Sequence, residues 1–273
     1  MRTRFARTTL FAALMLAACS GDRVTQPTAT PAPLVSGPGP SQASYSLDGW
    51  VADTAGRLID GVTVQILSGP HAGEVRTTGP DGRFAFDGPF TAIPEAQASK
   101  PGYLPAGGNV FILPGTTTIR GLFRLGSPNR PADLGGTYQL TFTADPSCAL
   151  PAEARSRSYT VSVSSNSASS YLFRLGGASF VPASGGYDDW NVIYVGVFEN
   201  FVTLYFSDPP IWERLDQPTS LYIVGSAQGE VTGPVSRFPV DGEFEFCGVT
   251  ANGQCEEEVE CDSRHHSVTL TKR

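Results

Sequence analysis

The strongest constraint on this chain is a two-residue rhythm. Tyr138, Leu140 and Phe142 alternate with Thr137, Gln139, Thr141 and Thr143, and Tyr159, Val161 and Val163 alternate with Thr160, Ser162 and Ser164. Tyr171, Phe173 and Leu175 continue the pattern, and Val62, Val64 and Ile66 carry it earlier in the chain. Successive side chains of a strand point to opposite faces, so this spacing makes one face apolar and the other polar. Turn formers punctuate the runs, as at Asp53-Thr54-Ala55-Gly56 and Gly79-Pro80-Asp81-Gly82. With 30 glycines and 22 prolines in 273 residues, long helices have little room, and none is spelled out after the N-terminal leader. The expected class is all-β.

The runs fall into two groups. Residues 45–125 hold about seven short strands, which suits a β-sandwich. A Pro/Gly junction spans 126–132. Residues 133–273 hold about eight strands in simple succession, which suits an antiparallel β-barrel or a closed sandwich. Tyr138, Phe142, Phe173, Phe244 and Phe246 supply enough aromatic volume to fill such an interior. The segment 192–206 reads as a hairpin with Glu199-Asn200 near its tip. It is apolar on both faces, so its outer face should pack on the first domain or form a contact surface.

The N-terminus speaks to compartment. Arg2, Arg4 and Arg7 precede the apolar run Leu10–Ala18, which is too short for a permanent span. The run closes as Leu16-Ala17-Ala18-Cys19. This resembles the lipobox of bacterial lipoproteins. The resemblance implies removal of residues 1–18 as a signal peptide and lipidation of Cys19, with enough acyl chains for stable retention. Ser20, where an Asp would favour the inner membrane, points by the same resemblance to the outer membrane of a bacterial envelope. Residues 20–44 are mostly Pro, Thr, Ser and Gly. They cannot bury enough apolar area to offset their ordering entropy, so the expectation for 19–44 is a lipidated cysteine on a disordered tether.

Charge narrows the partners. The chain carries a net charge of −7, and loss of the three leader arginines takes it to −10. Residues 45–125 hold 6 basic and 7 acidic side chains, and 126–273 hold 9 and 18, so the acidity sits in the second half. Such a balance argues against nucleic acid as a partner.

The first β region also carries a motif order: Gly49-Trp50-Val51-x-Asp53, Gly56-x-Leu58-x-x-Gly61-Val62-x-Val64, then Thr78-x-x-Asp81-Gly82-x-Phe84-x-Phe86, with "KPGY" at 100–103. It resembles the carboxypeptidase regulatory-like domain, a transthyretin-like sandwich related to adhesin B repeats. That resemblance implies a structural or binding module without peptidase activity. The stretch "NVFILPGTTT" fits the family only loosely. In the second region Gly136-x-Tyr138 is similar to the opening of lipocalin-like barrels, with Tyr in place of the usual Trp.

Four cysteines remain after Cys19: Cys148, Cys247, Cys255 and Cys261. In an exported chain they suggest two disulfides, with three possible pairings. Cys255 and Cys261 lie in the acidic stretch "CEEEVECD", which reads as a solvated loop, so the long-range partners Cys148 and Cys247 should matter more for stability. A zinc set of Cys255, Cys261, His265 and His266 has an unfamiliar spacing, and period two puts the two histidines on opposite faces. His71-x-x-Glu74 matches the ligand spacing of zinc carboxypeptidases but lies among turns, so neither metal nor cofactor is expected. Asp188 and Asp189 beside Trp190 form a possible sugar contact, since Trp stacks on sugar rings and carboxylates accept hydroxyl hydrogens. No nucleophile elbow, P-loop or dinucleotide fingerprint is visible. The expectation is a non-catalytic envelope lipoprotein that binds or scaffolds an envelope polysaccharide or protein. The alternatives are a carrier of a small apolar ligand in the barrel and, more distantly, a zinc carboxypeptidase.

Overall fold

The computed structural model describes residues 44–181, 190–215, 219–249 and 255–273. Residues 1–43, which include the expected leader, Cys19 and nearly all of the expected tether, lie outside them. The described chain is all-β, with one short helix.

Eight strands form the first lobe: β1 (Tyr45–Asp53), β2 (Thr63–Ile66), β3 (Val75–Thr77), β4 (Arg83–Phe90), β5 (Ala96–Ser99), β6 (Ala106–Gly107), β7 (Asn109–Ile112) and β8 (Thr118–Leu125). They make two four-stranded sheets, ordered β4-β1-β8-β7 and β3-β2-β5-β6. The expected alternation sets the sandwich. Leu47, Val51, Phe84, Phe86, Ile119 and Phe123 of one sheet and Val64, Ile66, Ala96 and Ala98 of the other are buried in one apolar cluster. One pairing departs from the antiparallel norm: β1 and β8 run parallel, in register from Ser46↔Thr118 to Asp53↔Leu125.

The second lobe comprises β9 (Thr137–Thr143), α1 (Ala152–Arg155), β10 (Ser156–Ser167), β11 (Ser170–Gly176), β12 (Ser179–Phe180), β13 (Val192–Phe198), β14 (Phe201–Tyr205), β15 (Ile211–Arg214), β16 (Thr219–Glu230), β17 (Val235–Val249) and β18 (Cys255–Lys272). Eight of these strands pair in succession (β9, β10, β11, β13, β14, β16, β17, β18) and β18 returns to β9, closing the ring. Each closing pair is antiparallel, so the barrel has no free edge around that ring. The short β15 pairs with the first half of β16, and β12 with β15, so the sheet branches from the ring there.

The barrel interior is packed with side chains. All five aromatics singled out in the sequence are buried there, with Tyr159, Phe206 and Phe238. Phe142 lies near the centre of the cluster, with ring centroids 5.2 Å from Phe206, 6.3 Å from Tyr159 and 6.5 Å from Phe244, all edge-on. Edge-to-face contact is the favoured aromatic geometry, so these rings fill space and attract one another. On β15 a buried carboxylate, Glu213, accepts from Tyr159 Oη at 2.8 Å and from Arg157 Nε at 2.8 Å, with a second bond from Arg157 Nη2. A buried anion needs such partners to offset its lost hydration. Leu134, fully buried, sits in the same cluster as Tyr138.

The hairpin β13–β14 turns at Glu199, as the sequence suggests, and Glu199 takes a left-handed backbone with φ 55°. Its two apolar faces now have separate partners. Ile193, Val195, Val197, Val202 and Leu204 face the barrel core. The opposite face docks on the sandwich. Thr54 Oγ1 donates to Val197 O at 2.5 Å, and Tyr205 Oη donates to Ala55 O at 3.0 Å. The Arg57 guanidinium lies 4.1 Å from the Phe201 ring centroid and 5.3 Å from that of Phe198, which also meets Tyr103 at 5.3 Å. Asp53, buried at the base of this turn, accepts from Ala55 N, Arg57 N and Arg57 Nε and so holds the guanidinium in place.

One sequence expectation is corrected here. The acidic stretch from Cys255 is not a loop but the first half of β18, paired with β17 from Val249↔Cys255 onward. Backbone pairing with an already formed long strand outweighs the poor strand propensity of a Glu run.

Candidate functional site

The sheet β4-β1-β8-β7 shows solvent its outer face. Residues at even positions of β1 and β8 and at odd positions of β4 and β7 point there, because their neighbours fill the sandwich core. The registers lay these residues out in two rows. One row reads Ala85, Asp48, Arg120, Phe111, and the next reads Arg83, Trp50, Leu122, Asn109. Half of this surface forms a recess of about 400 Å³ whose walls include Asp48, Trp50, Arg76, Arg83 and Arg120.

Trp50 forms its floor. It is half-buried, and the Arg120 guanidinium lies 5.5 Å from its ring centroid. Arg120 Nε also forms an ion pair with Asp48 Oδ1 at 2.7 Å, off the angle a hydrogen bond requires. Arg83 stands directly across from Trp50 on β4, with its side chain 72% exposed and Asp81 Oδ2 3.6 Å away. Arg76 reaches over from β3, its guanidinium 5.1 Å from the Phe86 ring. The wall therefore carries three guanidinium groups and one carboxylate around an indole. Chemically this is a flat apolar shelf ringed by planar donors, fit to stack a ring and to hold oxygen acceptors.

In the sequence Trp50 stands out only as part of a motif and Arg83 only as an outward position beside Phe84, and nothing there gives Arg76, Arg83 or Arg120 a functional role. The missing information was register: Asp48 and Trp50 meet Arg120 and Leu122 only because β8 pairs parallel with β1, some seventy residues on. The signal within reach was local, a Trp at an outward position of a strand, where a core residue has no need to be.

The residues expected to carry function are placed as follows. Asp188 and Asp189 lie outside the described residues. Trp190 packs edge-on against Trp212 at 5.3 Å, and Trp212 Nε1 donates to Ser220 Oγ at 3.1 Å, so this aromatic group is engaged with its neighbours. Cys148 and Cys261 form a disulfide with Cα atoms 5.7 Å apart, tying the loop after β9 to β18. Cys247 is also disulfide-bonded and fully buried. The Cys255 side chain lies outside the described residues.

The histidines do not assemble a metal centre. His265 is exposed and His266 buried, on opposite faces of β18 as period two requires. Cys148, Cys261 and His266 do cluster, but the two sulfurs are bonded to each other. Both ring nitrogens of His266 are also taken: Nδ1 accepts from Asp145 N at 2.8 Å, which leaves Nε2 to donate to Cys261 O at 3.1 Å. Burial holds the His266 pKa below the usual imidazole value. His71 Nδ1 bonds Glu74 Oε1 at 2.7 Å and Nε2 bonds Pro89 O at 3.0 Å. Both partners are acceptors, so they favour the imidazolium and raise its pKa, the Glu74 bond first. Neither His71 nitrogen is left for a metal. Asp145, which accepts from Ser263 Oγ and from Ser147 N and Oγ, is held down at about 2.

Among the described residues no helix is long and apolar enough to cross a membrane. Compared with known proteins, the chain matches no family model, and no curated protein matches it.

Proposed function

We propose that the protein is a non-catalytic binding module of a bacterial cell envelope, anchored by lipid on Cys19, that holds an envelope polysaccharide on the outer face of its sandwich. The observation that supports this is the Trp50 shelf with its ring of guanidinium groups in an open recess. Sugar rings present an apolar face that stacks on indole and an edge of hydroxyls that hydrogen-bonds to planar donors. The resemblance of residues 45–125 to the carboxypeptidase regulatory-like domain agrees with a binding role. The packed aromatic interior of the barrel favours this reading over a carrier of apolar ligands. The commitment of both His71 nitrogens favours it over zinc peptidase chemistry.

The test is co-sedimentation of the purified mature chain with insoluble envelope polysaccharide. Loss of an aromatic stack should weaken binding about tenfold in Trp50→Ala, at about 1.4 kcal/mol. Equal sedimentation of Trp50→Ala and the parent chain overturns the assignment of this face.

A further inference from the structure

We infer that the glycan held on this face is acidic, with a carboxylate paired to Arg83 and Arg76 while a sugar ring lies on Trp50. This rests on the reading above that the face binds a polysaccharide, and it adds the chemical class of the sugar.

Charge and donor geometry both favour an acidic ligand here. The chain is acidic overall, at −7. The recess wall reverses that sign, with Arg76, Arg83 and Arg120 against Asp48 alone. Asp81 lies outside the wall; its Oδ1 accepts from the Arg83 backbone N at 3.1 Å, and its Oδ2 lies 3.6 Å from the Arg83 guanidinium, between two well-exposed side chains. Arg120 and Asp48 form an ion pair at 2.7 Å, so the pair is close to neutral and serves to seat the guanidinium against the indole. Arg83 and Arg76 remain as the available cations. Among the described residues, the Arg83 guanidinium meets only Asp81, loosely, and the Arg76 guanidinium only its own Val75 O and the face of Phe86.

Neutral sugars present hydroxyls, which Asn, Gln and Asp bind as well as Arg does. A guanidinium adds a fixed fork that matches the two oxygens of a carboxylate, and it stays charged at every accessible pH. Two such forks facing one aromatic shelf suit a uronic acid, whose ring stacks and whose C6 carboxylate projects from the ring edge. Attraction between groups so exposed is screened by salt, with the screening length falling from about 10 Å at 0.1 M to about 3 Å at 1 M.

The experiment is isothermal titration of the purified mature chain with two probes of equal length, an oligogalacturonate and a neutral galacto-oligosaccharide. The expected result is at least tenfold tighter binding of the acidic probe at 0.1 M salt, with most of the preference gone at 1 M. Arg83→Gln and Arg76→Gln should each remove several-fold of the preference by weakening the acidic probe far more than the neutral one, while Trp50→Ala weakens both. Each variant is an exposed or half-exposed position, and near-ultraviolet circular dichroism confirms the fold. Equal affinity for the two probes, lost on Trp50→Ala, overturns the acidic assignment and leaves the polysaccharide reading standing. Acidic-probe binding unchanged in Trp50→Ala and Arg83→Gln overturns the assignment to this face. Failure of the parent chain to bind either probe overturns the acidic assignment, and if its sedimentation with envelope polysaccharide also fails, the polysaccharide reading falls too.

Discussion

The contact between the two lobes passes through a gap sized for glycine. A Cβ added at Gly196 of β13 would lie 2.6 Å from Thr54 O and 3.3 Å from the Ala55 Cα. Ordinary contact begins near 3.4 Å. Gly196→Ala therefore pushes the Thr54–Arg57 turn away by about 0.8 Å. That displacement stretches the bonds Thr54 Oγ1–Val197 O and Tyr205 Oη–Ala55 O, now 2.5 and 3.0 Å, to about 3.3 and 3.8 Å, beyond hydroxyl hydrogen-bond range. Two neutral hydrogen bonds contribute about 1 kcal/mol each. The Arg57 contact with Phe201 and the Tyr103–Phe198 pair add about 0.5–1 kcal/mol each where partly exposed. The expected loss is about 3 kcal/mol, which for a body of this size lowers Tm by about 6–12 °C.

Calorimetry reads this directly. The parent chain should unfold in one transition, because each lobe supports the other. In Gly196→Ala the transition should move down and split, with the sandwich melting apart from the barrel. Tryptophan emission assigns the components, since Trp50 is in the sandwich while Trp190 and Trp212 are in the barrel. In a Trp50→Phe background the emission reports the barrel alone. Tyr205→Phe, which deletes one hydroxyl, should cost about 1 kcal/mol without splitting the transition. A Gly196→Ala protein with one transition within about 2 °C of the parent refutes the argument that this dock couples the lobes.

Removal of the disulfide with Cys148→Ser and Cys261→Ser frees a closed loop of sequence separation 113, worth up to about 5 kcal/mol in the chain-entropy limit. Urea denaturation should show a loss of 2–5 kcal/mol, and a loss under about 1 kcal/mol would contradict the pairing. Phe142→Ala should cost about 3–5 kcal/mol by opening a cavity in the barrel, and an apolar fluorophore should bind the variant and not the parent chain. The two bonded histidines should titrate in opposite senses by NMR. His266, whose folded pKa is lowered, stabilises the fold above the ordinary imidazole value of about 6.5 and loses that contribution as pH falls through its folded value. His71, whose folded pKa is raised, contributes below about 6.5 and loses its contribution as pH rises through its folded value. Coincident midpoints near 6.5 for both rings would contradict the bonding described.

Much of the architecture was legible because burial writes itself into sequence with period two. The strand of Tyr138, Leu140 and Phe142 could be read with its inward face, since a half-buried strand has no other way to satisfy core and solvent together. The hairpin 192–206 was legible as a double-faced element for the same reason, though only the structure shows the sandwich turn filling its outer side. The site was less legible. Trp50, Arg83 and Arg120 come from three strands, and nothing local to any of them encodes the parallel β1–β8 register that sets them side by side. Local pattern reports which way a side chain points, whereas a binding surface depends on which strand lies next door.

The acidic half of β18 shows the converse, a segment whose local preferences are overruled. The β17–β18 register sets Glu245 opposite Glu260 and Glu243 opposite Asp262, an arrangement of like charges that weakens a strand pair. The charges of Glu245 and Glu243 reach as far as Tyr222 on β16, adding to burial in raising its pKa. Cys261 lies between Glu260 and Asp262 and is bonded to Cys148 in the loop after β9, which fixes β18 independently of its pairing with β17, and Cys247 of β17 is itself disulfide-bonded. Because repulsion between exposed charges is screened, low salt should penalise this pairing most. Loss of the Cys148–Cys261 bond should therefore cost more stability at low ionic strength than at high, which an entropic cross-link alone does not produce. The stretch that looked most like a loop is thus a strand with like charges set opposite one another, and Cys261 lies among them.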